Sequence, residues 1–357
     1  MKLVKFFALI AASASMFIGC EPTPQEEPAS ADAKLSVVKN VLEVNTPIEF
    51  IVEDVDGNDV TAESVIFDAN TFDEVSNPLT ITADGKYKFY AVYGDAISNY
   101  VDVVVTPTVP ALPEDAKPEN TEFKHRILLV DHTGNECGYC PRMMTALKEV
   151  AETGDYHSKY YEAIAHTYKQ TDPASSSAAF AVSGHFNVKD YPTLTYNFYH
   201  STQSSYNAEH IKNQIDALWM EYAEVSVAAS TSLATKSVVV NTEIKAAVSA
   251  EYSINAWLLE DGIEAKQPNA TEEWMNIHNN AIRNAATTEP LTGYELGTIE
   301  AGKSVEQVLS LDITSAAWNR DNLKVMLIVS KKNDKGKFDV ANVAVCPLNE
   351  SITYDYK

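Results

Sequence analysis

Cys137 and Cys140, separated by Gly138 and Tyr139, are the side chains whose type and spacing most directly offer chemistry. A close dithiol can cycle with a disulfide: one thiolate attacks a partner's disulfide, and the second thiol resolves the mixed intermediate. That chemistry is favoured where the first sulfur sits at a helix N-terminus, because free N–H groups and the helix dipole stabilise a thiolate. The flanking sequence predicts this setting. Leu128-Leu129-Val130 reads as an apolar strand closed by an acid, Asp131. Met143, Met144, Leu147, Val150 and Ala151 then recur at three- and four-residue spacing, which is one face of a helix that Gly154 stops. Pro141 suits the first turn, where its missing N–H is not needed. Cys137 is therefore expected at the helix tip, with Cys140 one turn further in as the more buried resolving thiol. Two other readings stay open. A fixed disulfide between residues three apart closes a very small loop, where the gain in chain entropy is least. A metal site would have to borrow His132, His166 or His185, and no second Cys-x-x-Cys or His pair at ligand spacing accompanies it.

Further along, Lys189-Asp190-Tyr191-Pro192-Thr193-Leu194-Thr195-Tyr196 opens an alternating strand with a proline. With Asp131 six residues before Cys137, the three features in this order resemble the thioredoxin superfamily. The resemblance implies that Pro192 is a cis proline beside the dithiol, that Tyr191 meets the partner chain, and that Asp131 is the buried acid assisting Cys140. Departures are also present. Glu136 stands before the first cysteine, where a carboxylate opposes thiolate formation by like-charge repulsion, and the intervening dipeptide is Gly-Tyr. Residues Thr171 to Phe180 read as a capped extra helix, and the final hairpin strand after Phe198 is hard to see. Ile211, Ile215, Leu218, Trp219 and Tyr222 follow an Asn207 cap as an amphipathic terminal helix.

The ends and composition bound the setting. Lys2 and Lys5, an apolar run from Phe6 to Ile18 and then Gly19-Cys20 form a secretory signal that resembles a bacterial lipoprotein signal, with Cys20 as the lipidated residue. The run is too short to favour a retained membrane span. The implied partners are the membrane, reached through lipid on Cys20, and a protein thiol or disulfide. A net charge of −23 repels phosphate backbones, which argues against nucleic acid. Neither Gly-x-Ser-x-Gly nor Gly-x-x-x-x-Gly-Lys occurs, and no cofactor or metal is implied. Of the four cysteines, Cys346 is left over in an apolar run and reads as a buried inert thiol.

The expected fold is multidomain α+β: a thioredoxin-like α/β domain at 122–223, flanked by an immunoglobulin-like β-sandwich at 35–106 and a C-terminal β-sandwich at 224–357. Residues 1–19 are the leader, 20–34 a Pro- and Glu-rich tether, and 107–121 a stiff linker carrying Pro107, Pro110, Pro113 and Pro118. The acidic cluster Asp54 to Asp59 reads as a solvated turn in preference to a calcium loop, whose terminal Glu is missing. Trp257 to Ile263, Gln267 and Ile277 to Arg283 form a second signature. With the lipoprotein start and the Cys-Gly-Tyr-Cys, it resembles the Bacteroidota family named for a twenty-eight-kilodalton outer-membrane protein. His278 and Arg283, with Glu260 or Asp261, read as a polar cluster tying down a loop. Two functions follow as expectations: a lipid-anchored thiol-disulfide exchange protein of the outer membrane, or a surface binding protein that uses the fold as a scaffold.

Overall fold

The computed structural model describes residues 33–198, 200–203, 206–287, 289, 291–314 and 317–357. The leader, Cys20 and nearly all of the tether lie outside the described residues. Contacts divide the chain into two compact units. The first comprises the described part of Met1–Asn40 with Pro47–Leu79 and Lys86–Val103; the second comprises Val41–Thr46, Thr80–Gly85 and Val104–Lys357.

The first unit is β throughout, apart from a 3-10 turn at Thr61–Glu63. Ala33–Val37 pairs antiparallel with Phe50–Asp54, and Val65–Asp68 lies between Glu74–Val75 and Gly85–Tyr93. Alternation sends Leu35, Phe50, Val52, Ile66 and Phe89 inward, with Phe50 and Phe89 edge to face at 5.0 Å. The acidic cluster is a turn: Asp54 Oδ1 accepts from the N–H groups of Asp56 and Asn58, each at 2.9 Å.

In the second unit, one sheet of nine strands positions the site. Its order is His200–Gln203, Thr193–Tyr196, Ile127–Thr133, Tyr160–His166, Ala281–Ala285, Ala250–Glu260, Leu323–Lys332 and Phe338–Pro347, with Tyr294–Ile299 beside Ala250–Glu260. Ile127–Thr133 is parallel to Tyr160–His166 and antiparallel to Thr193–Tyr196. Three helices accompany these strands: α1 (Cys140–Glu152), α2 (Ser177–His185) and α3 (Ala208–Leu218). The strand hard to see after Phe198 is His200–Gln203. Odd residues Ile127 and Leu129 pack on Met143, Leu147, Ile211 and Ile215 of α1 and α3. Even residues Leu128 and Val130 pack with Ala179 and Val182 of α2, and with Trp257, Leu259, Ile282 and Met326. A second, four-stranded sheet of Ser304–Asp312, Ser237–Ala246, Val225–Leu233 and Ser351–Ile352 covers another apolar cluster that includes Ile254, Leu258 and Val325.

Two expectations are corrected. Residues 122–223 and 224–357 are not separate bodies, because Ile164 bridges to Ala281 inside a single sheet and both segments share an apolar core. The proline-rich linker is not a free spacer at its end: Lys245, itself buried, donates to Asp115 Oδ2 at 3.0 Å and to the Pro118 carbonyl at 2.5 Å, and Tyr356 donates to Asp115 at 2.9 Å.

Candidate functional site

The Ile127–Thr133 strand is buried along its whole length and delivers the chain through Gly134 to the cysteines. A methyl group on Gly134 would lie 2.5 Å from Tyr168 Cβ, so the turn needs glycine for space. Helix α1 begins at Cys140, not at Cys137, and Tyr139 at its cap position offers no side-chain bond. Cys137 instead closes the preceding turn, its carbonyl accepting from the Cys140 N–H at 3.3 Å. The two sulfurs form a disulfide. Cys140 is fully buried as expected, but Cys137 is buried as well, at 2% exposure.

Side chains that hold the cysteine turn come from far along the chain. Ile263–Glu264 pairs antiparallel with Ile277–His278, and the segment between them folds over the Cys-Gly-Tyr-Cys turn. Gln267 Nε2 donates to the Cys137 carbonyl at 2.8 Å, and Asn269 Nδ2 donates to the Gly138 carbonyl at 2.9 Å. The hairpin is braced internally: Gln267 N–H donates to Asn276 Oδ1 at 2.9 Å, and His278 Nε2 lies 3.1 Å from the Ala265 carbonyl.

Beneath the hairpin, a cavity of about 220 Å³ is lined by Asp131, Glu162, His166 and His278 together with Met144, Leu147 and Trp274. Cys140, Met144, Leu147 and Lys148 recur at helical spacing, so Asp131 faces the same stripe of α1 that Cys140 begins. Asp131 is 2% exposed and its Oδ1 has no hydrogen-bond partner. Burial, with repulsion from Glu162, holds its carboxyl well above the usual range. Burial likewise pushes Glu162 up to about 7, against a smaller opposing pull from Lys324.

The surrounding polar side chains hold the turn in place. Asp172 accepts from Asn135 N–H at 2.7 Å and pairs with His166 Nδ1 at 2.9 Å, joining the cysteine loop to the neighbouring strand. Glu136 does not sit as a free charge beside Cys137: Lys169 and Thr171 bond it, and the Lys169 bond lowers its pKa. Tyr191-Pro192 is a cis bond, and Thr193, which follows it, registers against His132. The Tyr191 hydroxyl is turned to Thr167, donating to its carbonyl at 3.2 Å. The helix expected from Thr171 begins only at Ser177, with Ser176 as its cap accepting from Ala179 N–H at 3.0 Å.

The candidate metal ligands are dispersed. His132 lies between Ser183 Oγ at 2.7 Å and Thr195 Oγ1 at 3.1 Å, with burial lowering it to about 3; His166 is engaged by Asp172, and His185 is exposed. Among the described residues, no group of three or more His, Cys, Asp or Glu side chains is set to hold a metal ion. Arg283 Nε pairs with Glu260 Oε2 at 2.7 Å, and its Nη1 donates to both the Pro173 and the Ser175 carbonyls. His278 packs perpendicular to His166 at 4.8 Å, and Asp261 pairs with Lys324. Cys346 is fully buried, and burial raises its thiol to about 11. The hairpin over Cys137 and the Glu162 partner of Asp131 went unread in the sequence. Gln267 was visible as part of the second signature, without a role.

A family model described as Outer membrane protein Omp28 matches residues 179–351. Across those residues, just under half of the chain, it is similar to the Omp28 family. The Omp28 span begins after the cysteine pair and contains the covering hairpin, so the family carries the outer-membrane location and says nothing of the disulfide. Among solved structures, HBP35 of Porphyromonas gingivalis is 15% identical and covers 64% of this chain and 77% of its own, with a TM-score of 0.52. At that identity the likeness concerns the fold alone. A β-glucosidase from Kluyveromyces marxianus in complex with glucose is 7% identical over 39% of this chain and 15% of its own, with a TM-score of 0.17, too low to bear on either fold or function. No curated protein matches the sequence. Among the described residues, no helix is long and apolar enough to cross a membrane.

Proposed function

We propose that this outer-membrane protein carries a thioredoxin-like thiol-disulfide exchange centre, anchored through lipid on Cys20. One observation carries the reading: a closed Cys137–Cys140 pair at the head of α1, with the buried, unpartnered Asp131 carboxyl facing the stripe of α1 that Cys140 begins. The strand directions and order around Ile127–Thr133 support the thioredoxin-like reading of 122–223, whose sheet continues into the strands beyond residue 224. In the exchange, a thiolate of a partner dithiol attacks Cys137 Sγ, the Cys137–Cys140 bond breaks, and Cys140 leaves as a thiolate that takes the proton of Asp131. The partner's second thiolate then displaces Cys137 from the mixed disulfide. Two electrons pass to the pair and the partner leaves as a disulfide; the reverse sequence reduces a partner.

The test is catalysed reduction of insulin by dithiothreitol, with Cys140→Ala as a trap for mixed disulfides and Cys20→Ser in membrane fractionation for the anchor. Turnover above the uncatalysed rate and covalent capture by Cys140→Ala are expected; neither appearing sinks the exchange reading. A second reading has its own observation. Because Cys137 is buried and its turn is held by Gln267 and Asn269, the disulfide would on this reading serve as a staple in a scaffold whose function is binding. On that reading Cys137→Ser with Cys140→Ser lowers stability and abolishes no exchange, since there is none.

A further inference from the structure

We infer that the Ile263–His278 hairpin is a displaceable cover, an in-chain occupant of the surface on which a partner's thiol or disulfide docks, and that its lifting gates access to Cys137. The inference rests on the exchange reading for its purpose, while its geometry stands independently. An exchange partner must bring a sulfur in line with the Cys137–Cys140 bond, and at 2% exposure Cys137 offers no such approach. The barrier is local. The hairpin base is two residues per strand, and its tip holds the cysteine turn through two side-chain amides, Gln267 to the Cys137 carbonyl and Asn269 to the Gly138 carbonyl.

Both bonds end on main-chain carbonyls of the turn. Water can satisfy these when the hairpin leaves, so opening strands no polar group there. The hairpin's internal bonds, from the Gln267 N–H to Asn276 Oδ1 and between His278 Nε2 and the Ala265 carbonyl, can travel with it as it moves. Beneath it lies the cavity lined by Asp131, Glu162 and His166, so no close-packed apolar layer fills all the space between the hairpin and the sheet. The hairpin is held by these two neutral hydrogen bonds and by the buried Met275 and His278, the latter edge-on to His166, with a partly empty space beside them, and a local element of this kind opens without global unfolding. The surface it vacates would present the carbonyls of Cys137 and Gly138, so the fitting partner is an extended polypeptide segment that offers N–H donors on either side of its own cysteine.

The experiment uses the full chain with its disulfide intact and follows thiol release by alkylation and mass shift under a small phosphine reductant. Gln267→Met removes one donor at nearly constant volume, and Asn269→Ala removes the other. Each should speed reduction by about fivefold and the pair by about thirtyfold, since a neutral hydrogen bond of about 1 kcal/mol governs each contact. Hydrogen exchange on the wild type supplies a readout independent of any variant's folding: amides of Ile263–His278 should open faster than those of Ala250–Glu260. Insulin turnover by the same proteins separates the two claims. Faster disulfide reduction in the variants without insulin turnover in any protein keeps the cover and removes the exchange reading. Turnover in the wild type, with variants reduced no faster, removes the cover and keeps exchange. Hairpin amides that exchange only at the rate of the surrounding sheet overturn the inference outright.

Discussion

Asp131 and Glu162 share one cavity wall, and their carboxyls are raised for the same reason: burial costs the charged form more than the neutral one. A group whose folded-state pKa lies above its unfolded value contributes stability that is complete below the unfolded value and fades as pH climbs through the folded one. For Glu162 that window runs from 4.5 to about 7, and Asp131 extends it in the same direction. Wild type should therefore lose part of its stability between pH 5 and pH 8, and Asp131→Asn with Glu162→Gln should lose less across that range. Urea midpoints at the two pH values check this, and parallel losses in both proteins would show that these carboxyls are not the cause. Asp131 was legible in the sequence because an acid closes an apolar run. Glu162 was not, since only the parallel register that sets Leu129 against Glu162 places it on the same side of the sheet as Asp131.

At the scale of elements, the turn from Ile127–Thr133 into α1 fixes where the disulfide sits. Gly134 is confined by Tyr168 on one side, and the following residue, Asn135, is held by Asp172. Gly134→Ala forces a methyl group against Tyr168 Cβ, so this turn and the Thr167–Tyr168 backbone must separate. A cost of about 1–3 kcal/mol is expected from such overpacking, read as a lower thermal midpoint, together with faster reduction of the disulfide as the turn loosens. An unchanged midpoint and reduction rate would mean the turn is softer than its contacts suggest. Helices α1 and α3 were readable from apolar spacing because each buries one face against the sheet. The start of α2 was misplaced: Asp172 and Pro173 lie in a turn whose carbonyls Arg283 holds from over a hundred residues away. The covering hairpin was unreadable for a different reason. Two residues per strand carry no period, and its grip comes from Gln267 and Asn269, whose amides suit any surface loop equally well.

The continuous sheet makes the second unit a single folding problem. Read along the sequence, the change from helices to long strands near residue 224 resembles a domain boundary, because patterning reports faces and not partners. In the structure Leu128, Val130, Ala163 and Ala165 share their core with Trp257, Leu259, Ile282, Met326 and Val343, and Tyr160–His166 continues its sheet into Ala281–Ala285. Cutting the chain at 223 would expose that face and leave Tyr160–His166 as an open sheet edge. Leu128 and Val130 alone are each worth about 1.5–3 kcal/mol when buried, against a total stability of about 5–15 kcal/mol for a domain. A fragment of residues 104–223 should therefore show no cooperative thermal transition by circular dichroism. The fragment 104–357 should melt in one step, with its tryptophan fluorescence and far-ultraviolet signals coinciding. A sharp transition in the shorter fragment would mean that the disulfide-bearing strands and helices stand by themselves, and that the strands beyond residue 224 merely lean on them.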